Sequence, residues 1–294
     1  MSPSSSTDIK FFPNGKKGAC LAMKPGDDGV GKMISALNVS WNYNWGYYKR
    51  ECQPSDVQYV PMVWGKSNKQ SMKERIDEHV KPLVDDGSCK LLLCINEPDM
   101  KKQSNMTVDE VLEMWPLFEE LGVPLVSPSC ANPLPKTASC TEDECNQGVE
   151  GGWMCEFMAK AKKRGYRVDA VGVHWYGGTS VDAFKSQMKS IYKQYKLPLV
   201  VTEFATADWK AMKTGNCEDN KFSRQQVLEF MQQVLPWLER CPFIAGYSWF
   251  PFLPDCPQGT CSALFNKNNE LTALGRYYKS VTPDNPDGDK SISV

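Results

Sequence analysis

Residues 90–98 read KLLLCINEP, a continuous apolar run that ends in an amide, a carboxylate and a proline. Seven further apolar runs recur along the chain, and polar or aromatic residues follow them. Most runs are continuous rather than alternating, which is typical of strands buried on both faces of a parallel sheet. The predicted strands span residues 18–23, 36–41, 57–64, 90–96, 124–129, 169–175, 198–204 and 243–250.

Helical patterns separate the later strands. Thr107 and Ser223 each begin a helix with the spacing of a capping box. Eight strands that alternate with helices predict an α/β fold, a (β/α)8 TIM barrel, and its early β/α units are irregular because residues 42–56 show no good helix. A doubly wound sheet is the competing architecture. The predicted helices span residues 68–86, 107–121, 152–164, 180–196, 223–240 and 272–281.

A single domain accounts for the chain, because no shift in composition and no Ser/Pro-rich linker divides it. We expect the barrel to span residues 14–282, with flexible termini at 1–13 and 283–294. The formal net charge is −1 and no basic stripe occurs, which argues against nucleic acid as a partner. No apolar stretch is long enough to span a membrane, so we expect no membrane partner. We also expect a monomer.

Twelve cysteines occur without a CxxC motif, and the chain has only two histidines, so we expect no metal and no cofactor. Two close cysteine pairs lie in loop-like sequence and predict local disulfides, which form in an oxidising compartment. These pairs are Cys140 with Cys145 and Cys256 with Cys261. Cys20, Cys94 and Cys155 lie in apolar runs and are expected to be buried thiols or partners in longer bridges. We therefore expect the protein to be secreted, extracellular or in the cell wall, although the start of the chain has no signal-peptide pattern.

The stretch GDDGVGKM at 26–33 has the spacing of a phosphate-binding loop. Met33 stands where such a loop needs Ser or Thr for Mg²⁺, and Asp27 and Asp28 would repel phosphate. A flexible polar loop is the better interpretation. The chain also lacks the G-x-S-x-G motif that serine hydrolases of the α/β type use.

Two glutamates stand at predicted strand ends, Glu97 after the fourth strand and Glu203 in the seventh. Active sites of (β/α)8 barrels lie at the carboxyl ends of the strands, and a carboxylate beside an apolar run is expensive to bury without partners or a task. Pro98 disfavours helical geometry at Glu97, so we expect the backbone to stay extended there. Two carboxyl groups roughly 5 Å apart suit a nucleophile and an acid/base in retaining glycoside hydrolysis.

Aromatic and amide side chains crowd the same strand ends. Sugar rings stack on aromatic faces, and amide, imidazole and hydroxyl groups bind sugar hydroxyls. Each Trp taken alone is as consistent with core packing. The predicted substrate-binding residues are Asn96, Trp41, Asn42, Trp45, Trp64, His174, Trp175, Tyr176 and Trp249.

The strand-four Asn-Glu-Pro and the strand-seven Glu resemble the clan of retaining (β/α)8 glycoside hydrolases. More narrowly, five motifs in this order resemble glycoside hydrolase family 128, whose members are largely fungal and bacterial endo-β-1,3-glucanases. The motifs are INEPDM, VSPSCAN, VGVHWYGG, VVTEFA and YSWFPF. The resemblance covers roughly residues 18–281.

The resemblance implies a catalytic barrel that hydrolyses β-1,3-glucan with retention, by double displacement and without a metal. Glu203 would attack the anomeric carbon as nucleophile, and Glu97 would act as general acid/base. Asn96 would bind near the sugar 2-hydroxyl, and His174 would lie in a central subsite. Tyr176 and Trp249 would line the central subsites too, and Trp41, Trp45 and Trp64 the outer ones.

Three other functions remain open from the sequence. A related hydrolase could act on another β-linked glycan, such as a mannan or a β-1,4-glucan. A non-catalytic β-glucan-binding protein could use the same scaffold, although such a protein has no need of both Glu97 and Glu203. Nucleotide binding rests only on the stretch at 26–33.

Overall fold

A computed structural model describes residues 11–22, 28–135, 152–212 and 217–294. Its named strands all pair in parallel. One sheet has the order β3-β2-β1-β9-β8-β7 and the other the order β4-β5-β6. The strands are β1 (Lys17–Cys20), β2 (Trp41–Tyr43), β3 (Gln58–Tyr59), β4 (Met62–Val63), β5 (Leu92–Cys94), β6 (Leu125–Val126), β7 (Val171–Gly177), β8 (Leu199–Thr206) and β9 (Ile244–Trp249).

Two short links join these sheets into the strand order of a (β/α)8 barrel. β3 and β4 belong to one extended segment, interrupted next to Pro61, whose carbonyl accepts a hydrogen bond from Leu93 N at 3.1 Å. β6 and β7 are joined through a bridge between Val126 and Ala170, and Ser127 N donates to Ala170 O at 2.8 Å. β9 pairs with β1, so the order of the strands leads from the last strand back to the first. The predicted fold class is therefore confirmed.

Helices follow most strands and cover the sheet from outside. A π-helical turn at Ile76–Val80 joins α2 to α3, so together they replace the single predicted helix at 68–86. Residues 44–57 form turns and bends, which confirms the irregular early unit. No helix among the described residues combines the length and apolarity needed to cross a membrane. The helices are α1 (Asp28–Ala36), α2 (Met72–Arg75), α3 (Lys81–Asp85), α4 (Val108–Glu119), α5 (Trp153–Arg164), α6 (Val181–Tyr195), α7 (Arg224–Arg240) and α8 (Ala273–Ser280).

The first β/α unit differs from the prediction. The segment interpreted as a flexible polar loop contains α1, and Gly31 lies so close to the Cys52 carbonyl that a Cβ atom would be 2.1 Å from that oxygen. Because α1 extends to Ala36 and a turn at Asn38 follows, the second strand starts at Trp41 rather than at residue 36.

The buried residues form two clusters, one inside the barrel and one between the barrel and the helices. Phe11 and Phe12 belong to the inner cluster, and Phe12 stacks on Trp41 with ring centroids 4.4 Å apart. The folded part therefore begins by residue 11 rather than at 14, because these two side chains are buried.

Two consecutive lysines next to and in β1 hold the ends of two helices. Lys16 Nζ donates to three carbonyl oxygens at the end of α7, including Glu239 O at 2.8 Å. Lys17 Nζ donates to carbonyl oxygens at the end of α8, including Tyr278 O at 2.6 Å. Successive side chains of a strand point to opposite sides, and the last carbonyls of a helix lack partners within it. These lysines therefore connect β1 to both helices.

The carboxyl-terminal segment 283–294, expected to be flexible, contacts the helices. Asp287 forms an ion pair with Arg240, and its carbonyl accepts a hydrogen bond from Tyr277 Oη at 3.0 Å. Gln232 Nε2 donates to Ile292 O at 3.4 Å. These contacts attach the segment to α7 and α8.

The cysteine pairing differs from the prediction for one loop. Cys261 forms a disulfide with Cys217, with Cα atoms 5.4 Å apart, and Cys256 is a free thiol. Tertiary folding brings the short 3₁₀ turns at Cys217–Asp219 and Thr260–Ser262 together, which sequence proximity could not indicate. The pair Cys140 and Cys145 lies outside the described residues. Among the three cysteines in apolar runs, all are free thiols, with Cys20 and Cys94 buried and Cys155 half-buried.

Candidate active site

Three strands bring Glu97, His174 and Glu203 together at one end of the barrel. His174 Nδ1 lies 2.7 Å from Glu97 Oε1, and His174 Nε2 lies 3.5 Å from Glu203 Oε1. One ligand atom from each of the three side chains lies within 4.8 Å of the others. All three side chains are buried, so the imidazole separates two carboxylates in a poorly solvated space.

A β-bulge in β8 orients Glu203. Val173 pairs with Val201, but the next residue of β7, His174, pairs with Glu203, so Thr202 is the extra residue. In a regular strand, Thr202 and Glu203 would point to opposite sides of the sheet. The bulge redirects the glutamate to His174, as bulges commonly do beside active sites.

Glu97 follows an unusual backbone path. Ile95 has φ +63° and Glu97 has φ +38°, so the expected extended geometry before Pro98 is wrong. Positive φ in a β-branched residue such as isoleucine is rare, and such conformations persist where surrounding contacts hold them. Here Glu97 N donates to Ser129 O at 2.9 Å, and Met100 N donates to Glu97 O at 3.1 Å.

Three donors surround the carboxylate of Glu203. Trp45 Nε1 donates to Oε1 at 2.7 Å, and Tyr43 Oη lies 3.2 Å from the same oxygen. Tyr176 Oη donates to Oε2. Hydrogen bonds to a charged acceptor are stronger than those between neutral groups, so these donors fix the orientation of a charged carboxylate.

Burial and charge act against each other at His174. Burial favours the neutral imidazole, but the charge of Glu203 and the hydrogen bond to Glu97 outweigh it and raise the pKa of His174. Burial, reinforced by the charge of Glu203, raises the pKa of Tyr176 well above its usual range, so this phenol stays protonated as a donor. The same two causes act in the same direction on the pKa of Tyr43.

Asp99 binds the backbone of the loop that follows β6. Its carboxylate accepts hydrogen bonds from Ala131 N at 3.0 Å and from Asn132 N at 2.9 Å. Burial raises the pKa of Asp99, and these two N–H groups counteract part of that rise. Asp99 therefore ties the segment after Glu97 to the next βα loop.

Comparison with known proteins assigns the family. A model described as the glycosyl hydrolase catalytic core matches residues 21–278. The chain belongs to the glycosyl hydrolase catalytic core family. Alkali-sensitive linkage protein 1 of Schizosaccharomyces pombe is 26% identical over 283 residues, which cover 91% of this chain and 45% of that protein. The chain thus spans about half the length of this curated relative.

Solved structures of glycoside hydrolase family 128 share the fold. A subgroup I endo-β-1,3-glucanase from Amycolatopsis mediterranei, in complex with laminarihexaose, is 25% identical with a TM-score of 0.68, over 90% of this chain and 99% of its own. A subgroup VI exo-β-1,3-glucanase from Aureobasidium namibiae has the same fold at 21% identity and a TM-score of 0.66, over 92% of this chain and 97% of its own. The likeness to the enzyme from Amycolatopsis mediterranei confirms the resemblance to glycoside hydrolase family 128.

Five predicted site residues of this glycosyl hydrolase meet in the structure: Glu97, Glu203, His174, Tyr176 and Trp45. Each contacts at least one other member of the group. Their common position follows from the parallel arrangement, because the carboxyl ends of parallel strands lie at one edge of the barrel.

Asn96 and Trp64 lie at the same edge without touching the carboxylates. Asn96 is buried, its Nδ2 lies 3.4 Å from Gln103 Oε1, and its Oδ1 has no hydrogen-bond partner among the described residues. Trp64 follows β4 and is exposed. Both positions remain compatible with contacts to a sugar.

Trp41 and Asn42 are structural. The Trp41 ring is fully buried, and its Nε1 donates to Lys16 O at 2.8 Å near the amino-terminal end of β1. Asn42 is equally buried and accepts a hydrogen bond from Leu21 N at 3.3 Å. Because the second strand starts at residue 41, both lie inside the strand and neither offers a surface to a sugar.

Trp175 and Trp249 point away from the barrel mouth. Trp175 stacks on Phe230 of α7 with ring centroids 5.4 Å apart, and Trp249 Nε1 donates to Ser262 O at 2.9 Å. Both belong to the cluster between barrel and helices. Side chains alternate along a strand, so Trp175 takes the side opposite to His174.

The sequence prediction missed four aromatic residues near Glu203. Tyr43 lies two residues after Trp41, so the two side chains share one face of β2. This alternation along the strand could have identified Tyr43. Trp209 is 60% exposed and packs edge-on against the Tyr176 ring, with ring centroids 5.5 Å apart. The other two are Phe250 and Phe252, which also contact Tyr176. Trp209 follows β8 in a loop, where no strand pattern marks it.

Proposed function

We propose that this chain is a retaining endo-β-1,3-glucanase that hydrolyses β-1,3-glucan by double displacement. The observation that carries the proposal is the pair of buried carboxylates, which have an oxygen atom each within 4.8 Å. Retaining glycosidases place their two carboxyl groups about 5–5.5 Å apart, whereas inverting ones leave roughly 6.5–9.5 Å for a water molecule.

Glu203 is the nucleophile in this proposal. Its three hydrogen-bond donors orient it for attack on the anomeric carbon. Among the described residues Glu97 has only His174 as a side-chain hydrogen-bond partner, and it protonates the leaving glycosidic oxygen as general acid. It then activates the water that hydrolyses the glycosyl-enzyme.

His174 connects the two steps. When Glu203 becomes an ester its negative charge disappears, and the imidazole loses the largest of the charge contributions that raise its pKa. Glu97, now deprotonated, keeps its hydrogen bond to His174 Nδ1. The imidazole therefore orients Glu97 as a base while the charge of the site changes.

Both solved relatives act on β-1,3-glucan, which supports the linkage, and the endo mode is proposed by likeness to one of them. The enzyme from Amycolatopsis mediterranei is an endo-β-1,3-glucanase, and its complex contains laminarihexaose. We further propose that the protein acts as a monomer on β-glucan outside the cell or in the cell wall. The disulfide between Cys217 and Cys261 supports an oxidising compartment.

Substrate and mode of cleavage are tested with linear β-1,3-glucan and β-1,4-glucan. Wild type should release a range of β-1,3-linked oligosaccharides, while Glu203→Gln should release none. Release of a single short product would contradict endo action. Cleavage of the β-1,4 polymer alone would indicate a hydrolase of another glycan, and binding without cleavage would indicate a glucan-binding protein.

The two carboxylate roles are tested with azide. In Glu97→Ala, azide should attack the glycosyl-enzyme and give a product that retains the β configuration. In Glu203→Ala, azide should attack the substrate directly and give the α product. The two variants together separate the roles. An α product from Glu97→Ala and a β product from Glu203→Ala would exchange the roles of acid/base and nucleophile. NMR shows the anomeric configuration of the product that wild type releases first. An inverted configuration would refute double displacement.

A further inference from the structure

His174 Nε2 is a buried nitrogen without a hydrogen-bond partner among the described residues. The side chain of His174 is 1% exposed, so water does not readily satisfy this atom. The other ring nitrogen, Nδ1, lies 2.7 Å from Glu97 Oε1. In the neutral imidazole, with Nδ1–H donating to that carboxylate, Nε2 has a lone pair directed at the space beside Glu203. A metal ion that binds there displaces the Nε2 proton of the charged ring.

The separation between Nε2 and the nearest oxygen fits a metal ion. His174 Nε2 and Glu203 Oε1 are 3.5 Å apart, which is longer than a hydrogen bond. A tetrahedral zinc ion with nitrogen and oxygen ligands at about 2.0–2.1 Å separates neighbouring ligand atoms by about 3.4 Å. We propose that a divalent transition-metal ion such as Zn²⁺ binds between His174 Nε2 and Glu203 and thereby blocks the catalytic centre.

Glu97 completes this arrangement from the other side of the ring. Histidines that bind metals usually donate their second ring N–H to a carboxylate, which fixes the tautomer and makes the bound nitrogen a better ligand. Glu97 holds this position on Nδ1. The same contact that orients the acid/base therefore prepares the imidazole as a ligand.

The hydrogen bonds of Glu203 leave room for the ion. Its Oε1 accepts from Trp45 at 2.7 Å and from Tyr43 at the longer distance of 3.2 Å. Tyr43 Oη also has Thr202 O within 3.1 Å, so it can turn to that carbonyl when an ion takes its place on Oε1. The remaining coordination positions of the ion would be taken by water molecules that enter with it.

Blocking follows from the position of the ion. An ion on Glu203 removes the lone pair that would attack the anomeric carbon, and it occupies the space between both carboxylates. Inhibition therefore rests on the proposed glucanase function, whereas binding of the ion does not.

Calorimetric titration of the chelator-treated protein with Zn²⁺, without glucan, tests the site directly. We expect one site in wild type that is absent in His174→Gln. Because the chain has only two histidines, His79→Gln is a matched control that should keep the site. Glu97→Gln should weaken binding by roughly 10–100-fold, as loss of a supporting carboxylate does elsewhere. Zn²⁺ should also inhibit glucan hydrolysis by wild type and His79→Gln, and a chelator should restore it.

NMR of ¹⁵N-labelled histidine keeps the test valid if His174→Gln fails to fold. Zn²⁺ should move the Nε2 signal of His174 and leave that of His79 in place. Unchanged His174 signals, or Zn²⁺ binding that His174→Gln retains in full, would overturn the metal site. Glucan hydrolysis without His174-dependent Zn²⁺ binding would overturn this inference alone. Zn²⁺ binding in a protein that cleaves no glucan would instead support the metal site and overturn the proposed function.

Discussion

At the scale of single residues, Glu203 owes its environment to three side chains from two separate segments. Trp45 and Tyr43 come from the second strand and the loop after it, and Tyr176 from β7. Three donors hold the carboxylate in one orientation. A fixed orientation suits a nucleophile, so removal of any one donor should lower kcat measurably.

Tyr176→Phe should lower kcat by roughly 10–100-fold with little change in KM, because the loss of a hydrogen bond to a charged group is worth about 1.5–3 kcal/mol. Steady-state kinetics on a soluble β-1,3-glucan oligosaccharide measure this split. Tyr48→Phe is the control, since Tyr48 binds His79 on the surface. Full kcat in Tyr176→Phe would show that this donor is dispensable.

His174 should make stability depend on pH. Its folded-state pKa is raised above 6.5, so its contribution is complete below the unfolded pKa and is lost as pH rises through the folded pKa. The difference in unfolding free energy between wild type and His174→Gln should therefore be larger at about pH 6 than at about pH 9. Chemical denaturation at both values measures it, with His79→Gln as control. A difference independent of pH would contradict the raised pKa.

At the scale of elements, local departures from regular geometry form the site. The bulge in β8 redirects Glu203, and the positive φ at Ile95 breaks the alternation before Glu97. At the opposite end of the barrel, β1 instead uses charged side chains to hold helix ends. The lysines that hold helix ends and the residues of the site thus lie at opposite ends of the barrel.

Lys17→Met should destabilise the protein by roughly 2–4 kcal/mol, because it leaves the last carbonyls of α8 without their buried donor. The free energy of unfolding in urea measures the effect. Lys279→Met is the matched control, since Lys279 lies on the exposed side of α8. Equal stabilities of the two variants would show that the Lys17 contacts contribute nothing.

At the scale of the whole molecule, one disulfide joins the two loops that border the site. Cys217 and Cys261 are 44 residues apart in sequence and connect the segments after β8 and β9. Trp209 and Phe252 lie in these same segments, and their ring centroids are 6.4 Å apart. The crosslink therefore holds the aromatic side of the barrel mouth.

The double variant Cys217→Ser/Cys261→Ser should lose about 4 kcal/mol of stability, the amount expected for closing a loop of this length. A reducing agent should lower the Tm of wild type by more than that of the double variant. Cys256→Ser should match wild type, because Cys256 is a free thiol. A Tm insensitive to reduction would contradict a structural role for this crosslink.

The sequence alone determined the strand–helix alternation, the capped helices and the two strand-end glutamates. These features are local, since apolar runs and capping boxes act over a few residues. The motifs around Glu97 and Glu203 also indicated the family. Alternation along β7 could even have separated His174 and Tyr176 from Trp175, because side chains of a strand alternate between its two sides.

Only the tertiary structure decided the contacts between distant segments. It placed His174 between the two carboxylates and Tyr43 on Glu203, and it paired Cys261 with Cys217 rather than with Cys256. These outcomes depend on a bulge, on positive φ angles and on the packing of loops, which no pattern within one segment encodes. Chemistry at this site therefore arises from strands that are neighbours only after the chain has folded.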